Sequence, residues 1–161
     1  MTDWAAVFAA ERDVLEPALA PWLSDGVHHI GSTAVPGLRA KPLVDMMAGV
    51  RSLDESRAAF PVLESLGYGY REHRPEAHLF VKLGFGGVHL TEPGSELWRE
   101  RLAFRDALRE SPELRAEYAA WKDAHWTGRG YDTTKWPLVA RVLAERGIEL
   151  KPDAQRLSRG V

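Results

Sequence analysis

The stretch IGSTAVPGLRAKPLVDMMAGV, running from Ile30 to Val50, decides how this chain is read. It opens with Gly31-Ser32-Thr33 directly after VHHI, an apolar, strand-like run at residues 27–30. It closes with LVDMMAGV at residues 43–50, whose one charge is Asp45. The second run is apolar enough to lie centrally in a sheet. A glycine turn leading into a helix offers backbone N–H groups to an anion. A carboxylate on the next strand can hold the hard cation that usually accompanies phosphate. Taken alone, Gly-Ser-Thr reads equally as a plain tight turn with Ser32 as a helix cap.

Outward from this stretch, the pattern predicts a helix over residues 3–19, capped by Thr2 or Asp3 and ended by Pro21, with Trp4, Val7, Phe8, Val14 and Leu15 on one face. The sequence Ser52-Leu-Asp-Glu55 is a capping box, so a helix is expected from about 53 to Leu66, closed at Gly67 and kinked or split by Pro61. Three short strands are expected at 68–72, 77–83 and 87–91, with breaks at Arg74-Pro75 and at Gly84–Gly87. From Ser95 the pattern turns helical, over about 95–109. A second helix begins with Ser111 as cap and Pro112 at its first position, and a last one covers about 132–146 before Gly147. This order predicts an α+β fold, a mixed sheet with helices packed on it followed by a helical C-terminal part. One domain is expected over residues 1–150, with a polar tail at 151–161.

A formal net charge of −2 over 161 residues gives no electrostatic reason to expect nucleic-acid binding. The absence of cysteine excludes disulfides, thiolate nucleophiles and cysteine zinc sites. No apolar run approaches the roughly 20 residues that span a bilayer, and the N-terminus lacks a signal-peptide pattern, so a cytoplasmic protein with no membrane partner is expected. Sixteen of the 21 basic residues are arginines. Four of the five lysines, Lys41, Lys82, Lys122 and Lys135, therefore stand out as candidate point charges, expected to line one cleft. Tyr118 and Lys122 lie four apart in a helical segment, as do Tyr131 and Lys135. Such pairs suit a phosphate beside a base or sugar, or equally an amphipathic helix whose lysines snorkel.

HIGSTAVPGLRAKPLVDMM (29–47), LFVK (79–82), VHL (88–90), LAFRDALRESPELRAEYAAWK (102–122) and YDTTK (131–135) together resemble the signature of the GrpB family. That family is a branch of the DNA polymerase β-like nucleotidyltransferases. The resemblance implies a nucleotidyltransferase-like mixed β-sheet core with a helical appendage. It also implies that Gly31, Ser32 and Thr33 cradle a triphosphate. The basic residues and the tyrosines paired with them, Lys41, Lys82, Tyr118, Lys122, Tyr131 and Lys135, are the further candidate ligand contacts. Active members of the superfamily carry two carboxylates at alternate positions of one strand and a third on a neighbour, which together hold two metal ions. Asp45 matches the first as metal ligand and catalytic residue, but Met47 stands at the second position. The segment Val88–Glu92 resembles a family strand reading His-x-His, with His89 at the first place and Thr91 at the second. His89 is then a metal ligand, a general base or a hydrogen-bonded structural residue. Any Mg²⁺ is expected to arrive with the nucleotide. Two functions follow: nucleotidyl transfer from a nucleoside triphosphate to a small acceptor, or a catalytically silent module that binds a nucleotide- or CoA-like ligand.

Overall fold

The computed structural model describes residues 1–125 and 131–149 of the chain, the side chains of residues 131–134 excepted. Helix α1 (Trp4–Leu19) is capped by Asp3, whose carboxylate accepts from the Ala6 N–H at 3.1 Å. Strand β1 (Leu23–Ile30) runs antiparallel to β2 (Val44–Val50), and a short 3-10 turn, Ser32–Ala34, begins the link between them. Strands β3 (Gly69–Arg71), β4 (Ala77–Lys82) and β5 (Gly86–Thr91) complete a five-stranded sheet in the order β1-β2-β5-β4-β3. The β2–β5 pair is parallel and the other three are antiparallel, so the sheet is mixed. The fold is α+β, as the sequence predicts.

The single helix expected over 53–66 is instead two pieces. A 3-10 segment covers Glu55–Ala59, and α2 (Phe60–Ser65) starts just ahead of Pro61. Proline lacks the N–H a helix interior needs, and the first turn is where that loss costs nothing. Ser52 still caps, its hydroxyl accepting from the Glu55 N–H at 3.2 Å. Strand β1 begins at Leu23 rather than residue 27, with an irregularity in register between Leu23 and Val27.

Helices α3 (Glu96–Glu110), α4 (Pro112–His125) and α5 (Tyr131–Glu145) follow. Ser95 caps α3 by accepting from Trp98, and Ser111 caps α4 by accepting from Leu114. No helix among the described residues is long and apolar enough to cross a membrane.

Alternate strand residues face opposite ways. Met46, Ala48, Val50, Phe80, Val88 and Leu90 form the main core with α1 and α2. Leu15 and Leu19 of α1 are fully buried in it, whereas Val14, expected on that face, is 47% exposed. On the other face, Ile30 and Met47 pack against Trp98 and Leu102 of α3. Burial of this much apolar surface, at about 25 cal/mol per Å², is what drives both layers together.

Candidate functional site

Gly31 lies at the end of β1 with φ +74°, a left-handed conformation that glycine adopts without strain. A Cβ there would also sit 2.6 Å from Asp45 Oδ2. The missing side chain is therefore what lets the Asp45 carboxylate stand beside the turn. Asp45 pairs across the ladder with Ile30, on the face that α3 covers. Burial raises its pKa, opposed by the charges of Arg101, Lys135 and Lys122.

Lys122 of α4 is the central cation. It is 3% exposed, and its Nζ donates to Ser32 Oγ at 2.5 Å and to the Arg39 carbonyl at 2.9 Å. Tyr118, one turn earlier, is 1% exposed and places its ring centroid 5.2 Å from that ammonium. Lys135 of α5 sits over the same ring at 5.3 Å and over Phe104 at 5.5 Å. Desolvation, with Lys135 and Lys41 as like-charged neighbours, lowers the pKa of Lys122 to about 8. One carboxylate thus stands among Lys122, Lys135 and Arg101, with Lys41 and Arg39 acting on Lys122 from the loop before β2.

The turn is held from outside by α3. Arg105 donates to the His29 carbonyl at 3.1 Å and pairs with Asp106, and Arg109 donates to the Ala34 carbonyl at 2.8 Å. His28 and His29 point to opposite faces, against Trp98 and Phe8 respectively.

Thr33, expected with Ser32 in a phosphate cradle, is instead a structural clasp. It is buried, donates its hydroxyl proton to the Leu43 carbonyl at 3.0 Å, and stands 2.9 Å from His29 Nε2. With that proton committed, His29 is the donor in the second bond. Its pKa, lowered to about 4 by burial and by Arg109 and Arg105, keeps the ring neutral.

The expectation that four lysines line one cleft fails at Lys82. Register puts Lys82 on the α1 face with Phe80, where its Nζ donates to Glu11 at 3.0 Å beside the Tyr68 and Phe85 rings. Lys122 and Lys135 do come together, and Lys41 acts on Lys122. Tyr118 is a platform beneath the two ammonium groups. The side chain of Tyr131 lies outside the described residues, as does the 151–161 tail.

His89 faces the α3 side opposite Met47 and is 3% exposed, its ring 4.8 Å from that of His73. Burial, with Arg101, His73 and Arg74 close by, holds its pKa well below the ordinary value. It is neutral and packed on the α3 side of the sheet, but its Nδ1 finds no hydrogen-bond partner among the described residues, so it is not the hydrogen-bonded structural histidine that the sequence allowed. Met47 is completely buried. The hydroxyl of Thr91 donates to the Glu76 carbonyl at 2.7 Å. Of the site-face positions on β2 and β5, Asp45 alone is a carboxylate. No group of three or more His, Asp or Glu side chains suited to a metal ion is assembled among the described residues. A two-metal centre does not fit this donor set.

Arg101 is the residue that sequence reasoning misses. The signal was present: Arg101, Arg105 and Arg109 recur every four residues and so share one helix face.

The glycine turn and the strand aspartate thus sit together on a mixed sheet with helices on both faces, in an α+β protein. A cytoplasmic RNA terminal U-transferase shares this fold, with a TM-score of 0.54 at 12% identity over 79% of this chain and 41% of its own. The chain belongs to the GrpB family, whose model, described as GrpB protein, matches residues 1–145. The crystal structure of GrpB from Enterococcus faecalis superposes with a TM-score of 0.79 at 24% identity, covering 92% of this chain and 97% of that one. At these identities both likenesses speak for the fold alone. A UPF0157 protein of Pseudomonas aeruginosa is 38% identical over 156 residues, covering 87% of this chain and 62% of its own length. The UPF0157 protein YqkA of Bacillus subtilis is 34% identical over 124 residues, covering 74% and 36%. The chain therefore spans between a third and two thirds of the length of these two relatives.

Proposed function

We propose that this domain binds a phosphate-bearing small molecule, a nucleoside triphosphate or a compound of that kind, at the turn shared by Gly31, Ser32, Asp45 and Lys122. The observation that carries the reading is the convergence of Lys122, Lys135 and Arg101 on one aspartate beside a glycine turn. Desolvated cations held in place are worth more to an anion than solvated ones, because the local dielectric is low and no ordering cost remains. Small phosphate compounds fit such a site better than a polynucleotide does, since the chain as a whole carries a net charge of −2.

Between the two functions the resemblance implies, the side chains favour a binding module. Met47 is core and His89 is sealed, so the strands lack the carboxylates that two-metal transfer requires. Nucleotidyl transfer with Mg²⁺ carried in by the nucleotide is the second reading, favoured by the place of Asp45 next to the turn.

Thermal unfolding in the presence of nucleoside triphosphates and CoA derivatives, with and without Mg²⁺, tests both readings. A ligand at 100 times its Kd adds about 2.7 kcal/mol to the stability of the folded state. A rise in Tm supports binding, and no rise with any phosphate compound overturns it. Release of pyrophosphate from a bound triphosphate would establish transfer; its absence across acceptors sinks the second reading.

A further inference from the structure

We infer that the ammonium groups of Lys122 and Lys135 do the electrostatic work of a metal ion at this turn, so that phosphate is held here without one. The inference rests on the binding reading above and specifies its chemistry. Where a metal-dependent site would need further carboxylates, β2 offers Met47, packed against Ile30 and Trp98, and β5 offers the sealed His89. A divalent ion arriving at Asp45 would find one carboxylate and the fields of Lys122, Lys135 and Arg101 already upon it. Like-charge repulsion at such range opposes its entry.

The two ammonium groups, by contrast, are built in. Lys122 is fixed at its Nζ by a hydroxyl and a carbonyl of the Ser32–Arg39 segment, 2.5 and 2.9 Å away. Lys135 shares the Tyr118 ring with it, the two ammonium nitrogens lying 5.3 and 5.2 Å from the centroid. Cation–π contact stabilises a desolvated cation without cancelling its charge, so each group keeps its field for an incoming anion. The helices α4 and α5 hold these groups beside the turn, where they neutralise phosphate oxygens as Mg²⁺ does elsewhere. Arg101 adds a third positive charge acting on the same carboxylate from α3.

Calorimetric titration with inorganic pyrophosphate, first in excess EDTA and then in Mg²⁺, tests this. Pyrophosphate should bind in EDTA and bind no more tightly when Mg²⁺ is present. Lys122→Met and Lys135→Met should each weaken binding in EDTA about tenfold or more, a loss of about 1.4 kcal/mol or more. Lys135 is only partly buried, so Lys135→Met keeps the test valid should Lys122→Met fail to fold. Binding that appears only with Mg²⁺ overturns this inference and leaves the proposed binding function standing. Binding in EDTA that survives the loss of either lysine also overturns it. No binding under either condition overturns the inference, and the binding reading then stands or falls on the thermal unfolding panel.

Discussion

The face of the sheet beneath α1 and α2 and the face beneath α3 are made by the same strands, one register position apart, yet they differ in chemistry. On the first face, Val44, Met46, Ala48, Phe80, Val88 and Leu90 form a continuous apolar layer. On the second, Asp45, His89 and Thr91 interrupt the apolar residues, and arginines from α3 lie over them. A sheet buried on both sides needs only one of its layers to carry most of the hydrophobic stabilisation. The other is then free to place polar groups, at a cost where one is left unpartnered, as the buried Nδ1 of His89 is among the described residues. The comparison predicts that folding and binding separate by face.

The largest effect belongs to the apolar side. Phe80→Ala removes a fully buried ring that packs against Phe60 and Tyr70, and should cost about 3–5 kcal/mol. Urea denaturation with and without sulfate measures the cost and the anion response together. Sulfate stabilisation should persist in the variant, and its loss would break the division between the faces.

A smaller effect is expected where the turn meets the sheet. Thr33→Val deprives the Leu43 carbonyl of its donor and the His29 N–H of its acceptor, at a cost of about 1–3 kcal/mol. Ser32→Ala should be much milder for the fold, because Lys122 keeps its bond to the Arg39 carbonyl. Its effect should appear in anion affinity instead. Equal stability losses in the two variants would erase the distinction between clasp and site.

Lys82→Met removes the ion pair with Glu11, whose partners are partly exposed, and should cost about 1 kcal/mol or less. Pyrophosphate affinity should not change. A drop in affinity would return Lys82 to the site and break the assignment by register.

The smallest expected effect is a pH dependence. The pKa of Lys122 is about 8 in the fold against 10.5 ordinarily, through burial, Lys135 and Lys41, with Arg39 in the same direction and Asp45 opposing. Between those values the unfolded chain binds more protons, so stability from this group rises with pH. Anion affinity runs the other way, because the ammonium discharges as pH passes about 8. Sulfate, which does not titrate in this range, should raise Tm more at about pH 7 than at about pH 9.5. An equal rise would mean that Lys122 does not face the anion.

Much of this architecture was legible from local chemistry. The caps at Asp3, Ser95 and Ser111 are side-chain oxygens bonded to N–H groups three residues on, a contact that sequence spacing states outright. Asp45 and Gly31 were legible because consecutive, paired strands carry both. Lys82 was misplaced because LFVK is apolar on both sides, which hides which residues face which layer. Thr33 was misread because its role depends on the Leu43 carbonyl, ten residues away. Arg101 went unseen because three arginines at spacing four resemble an ordinary solvated helix face, and only tertiary packing shows that Arg101 acts on Asp45.

The bonds from Lys122 to Ser32 and Arg39 join residues separated by 90 and 83 positions in the chain. Contacts of that span close loops of about half the chain, and we expect them to form after the local hairpins and helices. An interaction absent from the folding transition state leaves the folding rate alone and acts on the reverse step. Occupancy of this turn by an anion should therefore slow unfolding while refolding proceeds at its usual speed, which would make the ligand a source of kinetic persistence for the assembled domain.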